Sequence, residues 1–195
     1  MFRTITLPWH RTTSGSAVSD EDAALVARAS GGDPRAFEEL MRRHADAMLN
    51  LARRVVIDVD AAQDVVQDAF ISAYRQLPRF RGDAAFSTWI YRITLNSARV
   101  YLRSTQRRAK WEWTDDEMVA LHAQTIDPTD DEGYITELMA HLPEKHRMAV
   151  ALFYLQDLSL TDIAEIMDAP TGTVKAWLSR GRERLRALAR QEGLL

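Results

Sequence analysis

Residues 159 to 188 read SLTDIAEIMDAPTGTVKAWLSRGRERLRAL, two helices joined by a tight turn, the second carrying a basic face. Ser159 is placed to cap the first helix, with Asp162 three residues on, the spacing that marks a helix start. Leu160, Ile163, Ala164 and Met167 then recur at helical intervals. Asp168-Ala169-Pro170 breaks the helix, because proline disfavours a helical conformation in the residue before it. Thr171 or Gly172 restarts the chain. Val174, Leu178, Gly181, Leu185 and Leu188 are spaced by four, three, four and three, so they form one buried stripe. Lys175, Ser179, Arg182 and Arg186 lie one position further on and share an outward face. Two short helices, the second basic on its free side, are how a helix-turn-helix offers a recognition helix to the DNA major groove. A solvated terminal helix is the competing reading. The excess of Lys175, Arg180, Arg182, Arg184, Arg186 and Arg190 over Glu183 and Glu192, with correct turn chemistry, favours DNA.

Outward from that segment, composition narrows the class. A chain of 195 residues allows one or two small domains, and 46% hydrophobic with 27% charged residues is ordinary for a soluble protein. Glycine and proline are sparse and no strand-like alternation of any length occurs, so the expected fold is all-α. No apolar run approaches the roughly 18 residues of a membrane helix. The opening residues lack the apolar core and cleavage site of a signal peptide. With no cysteine, disulfides and thiolate chemistry are excluded. These features point to a cytoplasmic protein without membrane insertion.

The net charge of -3 hides segregation. Between Arg35 and Lys110 there are fourteen basic and eight acidic residues, whereas Trp111 to Leu138 holds nine acidic residues and no Lys or Arg. The C-terminal helix is basic again. Such a layout suggests two DNA-facing modules joined by a flexible acidic linker. The expected organisation is a disordered lead-in over 1–18, a helical domain over 19–106, the linker over 107–132 and a helix-turn-helix domain over 133–195.

In the first domain a helix is expected from Ser19 to Gly31-Gly32, with acidic residues in its first turn. Asp33-Pro34 caps the next, whose inner face is Phe37, Leu40, His44, Met48, Leu51 and Val55. Asp60 is expected to open a third helix with Val66, Ala69, Phe70, Ala73 and Leu77 inside, closed by Pro78. A long helix from Ala85 to Gln106 would turn Phe86, Trp89, Ile90, Ile93, Ser97 and Val100 inward, and Arg92, Arg99 and Arg103 outward. Helices over 134–141 and 144–155, split by Pro143, complete the reading. His10, His44, His122, His141 and His146 lack metal-ligand spacing, and Asp115-Asp116-Glu117 has no phosphate-cradling loop beside it. No nucleophile-and-base pair appears, so neither catalysis, a cofactor nor a small-molecule substrate is expected.

Two blocks, DVVQDAFISAYRQLPRFRGDAAFSTWIYRITLNSARVYLR and LPEKHRMAVALFYLQDLSLTDIAEIMDAPTGTVKAWLSRGRERL, resemble bacterial sigma factors of the extracytoplasmic-function group, the sigma-E-like members above all. The resemblance covers about residues 20 to 190. A regulator acting without polymerase would match only the second block. A helical scaffold for a partner protein is a further alternative.

The resemblance implies a protein that binds core RNA polymerase, directs it to promoters and helps melt the minus-ten region, under stress and anti-sigma control. It implies that Asp64, Gln67, Asp68 and Phe70 lie on the helix that docks on the beta-prime clamp helices, Phe70 serving the core. The second domain would meet the beta flap. It matches Phe80 and Asn96 to the pocket for a flipped base, where stacking and polar edge contacts offset unpairing. Phe86, Trp89, Tyr91, Arg92 and Tyr101 supply aromatic and basic groups near it, with Phe86 and Trp89 open to a core role. Thr173, Lys175, Arg180 and Arg182 match positions that touch the minus-thirty-five element. Ala176, Trp177 and Ser179 depart from the sigma-E-like pattern, which implies a different minus-thirty-five sequence. Trp177 either packs at the stripe's edge or meets DNA.

Overall fold

The computed structural model describes residues 20–112, 131–156 and 158–192. Within them the chain forms eight α-helices, one 3₁₀ turn and no strand, as an all-α reading requires. The N-terminal half contains α1 (Asp20–Ser30), α2 (Pro34–Val56), α3 (Val59–Gln76) and α4 (Phe86–Glu112). The C-terminal half contains α5 (Asp131–Ala140), α6 (Glu144–Leu155), α7 (Leu160–Met167) and α8 (Thr171–Gln191). The lead-in, Ser19, most of the acidic connector, His10 and His122 lie outside the described residues.

Local chemistry sets the boundaries. Asp33 caps α2 by accepting from the backbone N–H of Arg35 at 3.0 Å and of Ala36 at 3.4 Å, with Pro34 at the first helical position. The Arg28 guanidinium donates to the same carboxylate at 2.6 Å and, together with those amides, holds it below the usual carboxylate range. The third helix starts earlier than expected. Its cap is Asp58, which accepts from the N–H of Ala61 at 3.0 Å, and Asp60 falls inside the first turn. Both aspartates suit a cap; what selects Asp58 is Ile57, buried and at φ 75, whose N–H closes α2 on the Arg53 carbonyl. The chain therefore turns between the two helices in Ile57 and Asp58 alone.

Helix α2 is the spine, packing on α1, α3 and α4 in its own half and on α5 and α6 in the other. Leu40, Met48, Leu51 and Val55 are buried as the spacing predicts, with Phe37 and His44 at the edge. Expectation and structure differ on α4. Phe86, Ile90 and Ile93 point inward, but Val100 is 65% exposed. A second buried stripe, Tyr91, Leu95, Ala98 and Leu102, takes its place. The reason is tertiary: α4 packs on α2 and α3 and also on α7 of the C-terminal half, so two of its faces are covered.

Candidate nucleic-acid interface

In the C-terminal half the capping box is complete. Ser159 Oγ accepts from the N–H of Asp162 at 3.1 Å, and Asp162 Oδ2 accepts from the N–H of Ser159 at 3.1 Å. Asp168 then takes a left-handed conformation at φ 51, a turn that suits its short polar side chain, and α8 begins directly after Pro170. Val174, Leu178, Gly181 and Leu185 are buried, and Leu188 is partly so. The stripe lies on α6, and Gly181 is its point of closest approach: a Cβ there would stand 2.8 Å from Val150 Cγ2.

That packing leaves the neighbouring faces of α8 outward. Lys175, Ser179, Arg180 and Arg186 are exposed, and Arg182 and Thr173 are partly so. Trp177 packs against the core at the stripe's edge, with Lys145 Nζ 5.6 Å from its ring centre. Burial and the nearby Arg180 charge both push the His146 imidazole below its ordinary value.

On the N-terminal half, Asp64, Gln67 and Asp68 form an exposed face of α3, while Phe70 packs on the core. Sequence reading missed two neighbours on that helix. Ile71 is 43% exposed and Tyr74 58%, the latter edge-on to Phe37 at 5.0 Å. Both fall outside the inner stripe read for this helix, Val66, Ala69, Phe70, Ala73 and Leu77, and their exposure places them beside Asp64, Gln67 and Asp68 on the outer side.

The expected minus-ten residues do not all come together. Phe80 stacks near Trp89 at 5.0 Å and Phe86 at 6.0 Å, beside a cavity of about 380 Å³ that α1 and Arg81 also line. Asn96 lies about two helical turns further along α4, roughly 10 Å from Trp89 along the axis. It opens instead on a groove of about 630 Å³ between α3 and α4, with Asp64, Asp68 and Arg75 on one wall and Ser97 and Val100 on the other. Arg92 and Arg103 are exposed. Arg99, expected on the same outer face, is partly buried and donates to Asn96 Oδ1 at 3.2 Å. Tyr91 is no stacking platform; it is buried and donates its hydroxyl to Gln156 Oε1 at 2.8 Å.

Among the described residues, no group of three or more His, Cys, Asp or Glu is placed to hold a metal ion, and no helix is long and apolar enough to cross a membrane.

The profile of Sigma-70 region 2 matches residues 40–108, and that of Sigma-70, region 4 matches residues 132–185. The chain is 40% identical to the ECF RNA polymerase sigma-E factor of Haemophilus influenzae over 174 residues, covering 83% of this chain and 92% of the relative. It is 37% identical to the RNA polymerase sigma-H factor of Pseudomonas aeruginosa, with 84% and 91% covered. The sigma-E factor of Escherichia coli K12 is 38% identical, with 83% and 91% covered. Among solved structures, CnrH in complex with the cytosolic domain of CnrY superposes with a TM-score of 0.69 at 26% identity, covering 88% of this chain and 99% of that one. The sigma factor RpoE of Bartonella quintana shares the fold, with a TM-score of 0.63 at 21% identity and coverage of 79% and 96%. Two helical modules in one chain, matched in order by both sigma regions, make this protein a member of the extracytoplasmic-function group of RNA polymerase sigma factors, proteins of transcription initiation.

Proposed function

We propose that the chain holds core RNA polymerase through α3 and the promoter through two separate surfaces, α4 at the minus-ten element and α8 at the minus-thirty-five element. The two domains are those read from the sequence, 19–106 and 133–195, with α4 continuing to Glu112 and α5 starting at Asp131. The observation that carries this reading is the cationic outer row of α8, Lys175, Arg182 and Arg186, turned outward by the tight packing at Gly181, with Arg180 exposed further round the same helix. Thr173 and Ser179 stand beside that row and add hydroxyls. Arginine and lysine there neutralise phosphates and reach base edges in the major groove.

On α4, Arg92, Arg99 and Arg103 supply phosphate contacts. Asn96 is exposed, and its amide both donates and accepts, as capture of a base edge requires. Phe80 offers a stacking surface two turns away, so the strand engages the two at separate points or the loop at Gly82 (φ 77) closes toward Asn96. Asp64, Gln67 and Asp68 meet the beta-prime clamp helices, with Phe70 holding the helix to the core. The C-terminal half meets the beta flap.

The chain acts in the cytoplasm, without catalysis of its own. CnrH, a relative, is solved bound to the cytosolic domain of another protein, which supports an anti-sigma partner for this chain as well. Co-purification with core polymerase and promoter-dependent runoff transcription test the reading. A chain that binds duplex DNA but never polymerase would overturn it.

A further inference from the structure

Helix α8 carries its cations on two flanks. Lys175, Arg182 and Arg186, spaced by seven and four, line one side of the buried stripe. Arg180 and Arg184, both exposed and four apart, line the other, about 160° round the helix at 3.6 residues per turn. Trp177 continues this second flank toward the start of α8. Lys145 of α6 stands over its ring, Nζ 5.6 Å from the centre, while the ring itself packs on the core. The first turn of α6 runs close by: a Cβ at Gly181 would lie 3.7 Å from His146 Cβ. Lys145, exposed and on a different helix, thus extends the Arg180–Arg184 row. Among the described residues none of these three cations is in an ion pair.

A helix with its side chains is about 10 to 12 Å across, and the major groove of B-DNA is about 12 Å wide. A helix that fills the groove turns one flank to the phosphates of each strand and its outer edge to the bases. On α8 the edge between the two rows is Ala176, Ser179 and Glu183, with no cation among them. Charge on both flanks and its absence on the edge between them suit that placement. Lys145 adds a further sign. A lysine left to water keeps its rotamers, whereas one held over a ring has already given up part of that freedom before a phosphate arrives.

We propose that the C-terminal half straddles the major groove: Lys175, Arg182 and Arg186 take phosphates of one strand, and Arg180, Arg184 and Lys145 take phosphates of the other. Trp177 is a positioning residue that holds Lys145 for its phosphate and reaches DNA only through it. The inference rests on the minus-thirty-five reading above and deepens it, since it adds a contact from α6 and assigns each row a strand. The two helices keep this geometry because Gly181 lets α8 lie against Val150 and His146 of α6. A lysine carried by α6 therefore stands in fixed register with arginines carried by α8.

The test uses the full-length chain on core polymerase with a promoter duplex. Lys145→Ala should lower the slope of log affinity against log salt by about 1, so the parent's lead shrinks about three- to fourfold between roughly 50 and 200 mM salt. Lys145→Arg should restore the slope. Neutral methylphosphonate linkages in the minus-thirty-five element, placed in one strand at a time, assign the rows. Lys145→Ala and Arg184→Ala should lose sensitivity to neutralisation of one strand, and Arg182→Ala to that of the other. Trp177→Leu keeps an apolar side chain against the core but removes the ring face. It should weaken binding about two- to threefold in the parent and leave Lys145→Ala unchanged, at equal helical content. A slope lowered by Arg182→Ala but not by Lys145→Ala overturns the proposal and leaves the minus-thirty-five reading standing. Loss of sensitivity to the same strand by both rows overturns the straddling, and an equal effect of Trp177→Leu with and without Lys145 overturns the positioning role. A slope moved by neither Arg182→Ala nor Lys145→Ala strikes the minus-thirty-five reading itself, and the proposal with it.

Discussion

Gly181 of α8 and Val150 of α6 meet so closely that any side chain on the glycine must displace the valine: a Cβ would lie 2.8 Å from Val150 Cγ2. Valine is stiff at χ1 and cannot swing aside without moving its helix. Gly181→Val should therefore destabilise the chain by about 2 to 3 kcal/mol, in the upper part of the overpacking range. Urea denaturation measures this. Because the same contact orients the cationic row of α8, promoter affinity should fall with it.

The capping box at Ser159 starts α7. Ser159→Ala removes the acceptor for the Asp162 N–H and should cost about 1 kcal/mol, typical of a lost serine cap. Ser159→Thr or Ser159→Asp should recover most of that loss in the same denaturation experiment.

Burial pushes the Tyr91 phenol up to about 12, from an ordinary value near 10. The folded chain thus holds this proton more tightly than the unfolded chain does. Its contribution is complete below pH 10 and is lost as the pH climbs from 10 through 12. Tyr91→Phe lacks the titration and also the bond to Gln156. Stability curves of the two proteins should differ by about 1 kcal/mol in favour of the parent at neutral pH. The parent should then lose on the order of 2 kcal/mol relative to the variant across that alkaline window.

Phosphate neutralisation leaves a salt signature. Lys175→Ala and Arg182→Ala should each weaken promoter binding by the polymerase complex and lower the slope of log affinity against log salt by about 1. Binding to core polymerase alone should be unaffected. An unchanged slope would place those two side chains away from the phosphates.

Asn96→Ala should impair open-complex formation, read by permanganate reactivity of unpaired thymines, far more than association with polymerase. Loss of a polar base contact costs about 1 to 3 kcal/mol, so a drop of roughly tenfold is expected. Equal opening by the variant would remove Asn96 from base capture.

The helices themselves were legible because their signals are local. Asp33-Pro34, Ser159 with Asp162, and the four-three-four-three spacing from Val174 to Leu188 act within a few residues, and each reappears in the structure where it was read. The order of the two motif blocks was equally plain from sequence, and with it the family. The outward face of α8 followed from the apolar stripe beside it.

What sequence could not decide was how faces already made are shared between partners. Val100 reads as core and is exposed; Tyr91 reads as a surface aromatic and is buried at the seam. Phe80 and Asn96, paired by resemblance, open on different cavities. Helical periodicity states which residues share a side, but not which helix covers that side. Covering α4 takes α7, more than fifty residues away in the chain, and the closure is recorded in no local pattern. Local hydrogen bonds and apolar spacing were enough for the elements and the family, whereas the partial burial of Arg99 and the bridge at Gln156 exist only once two distant halves bury surface against each other.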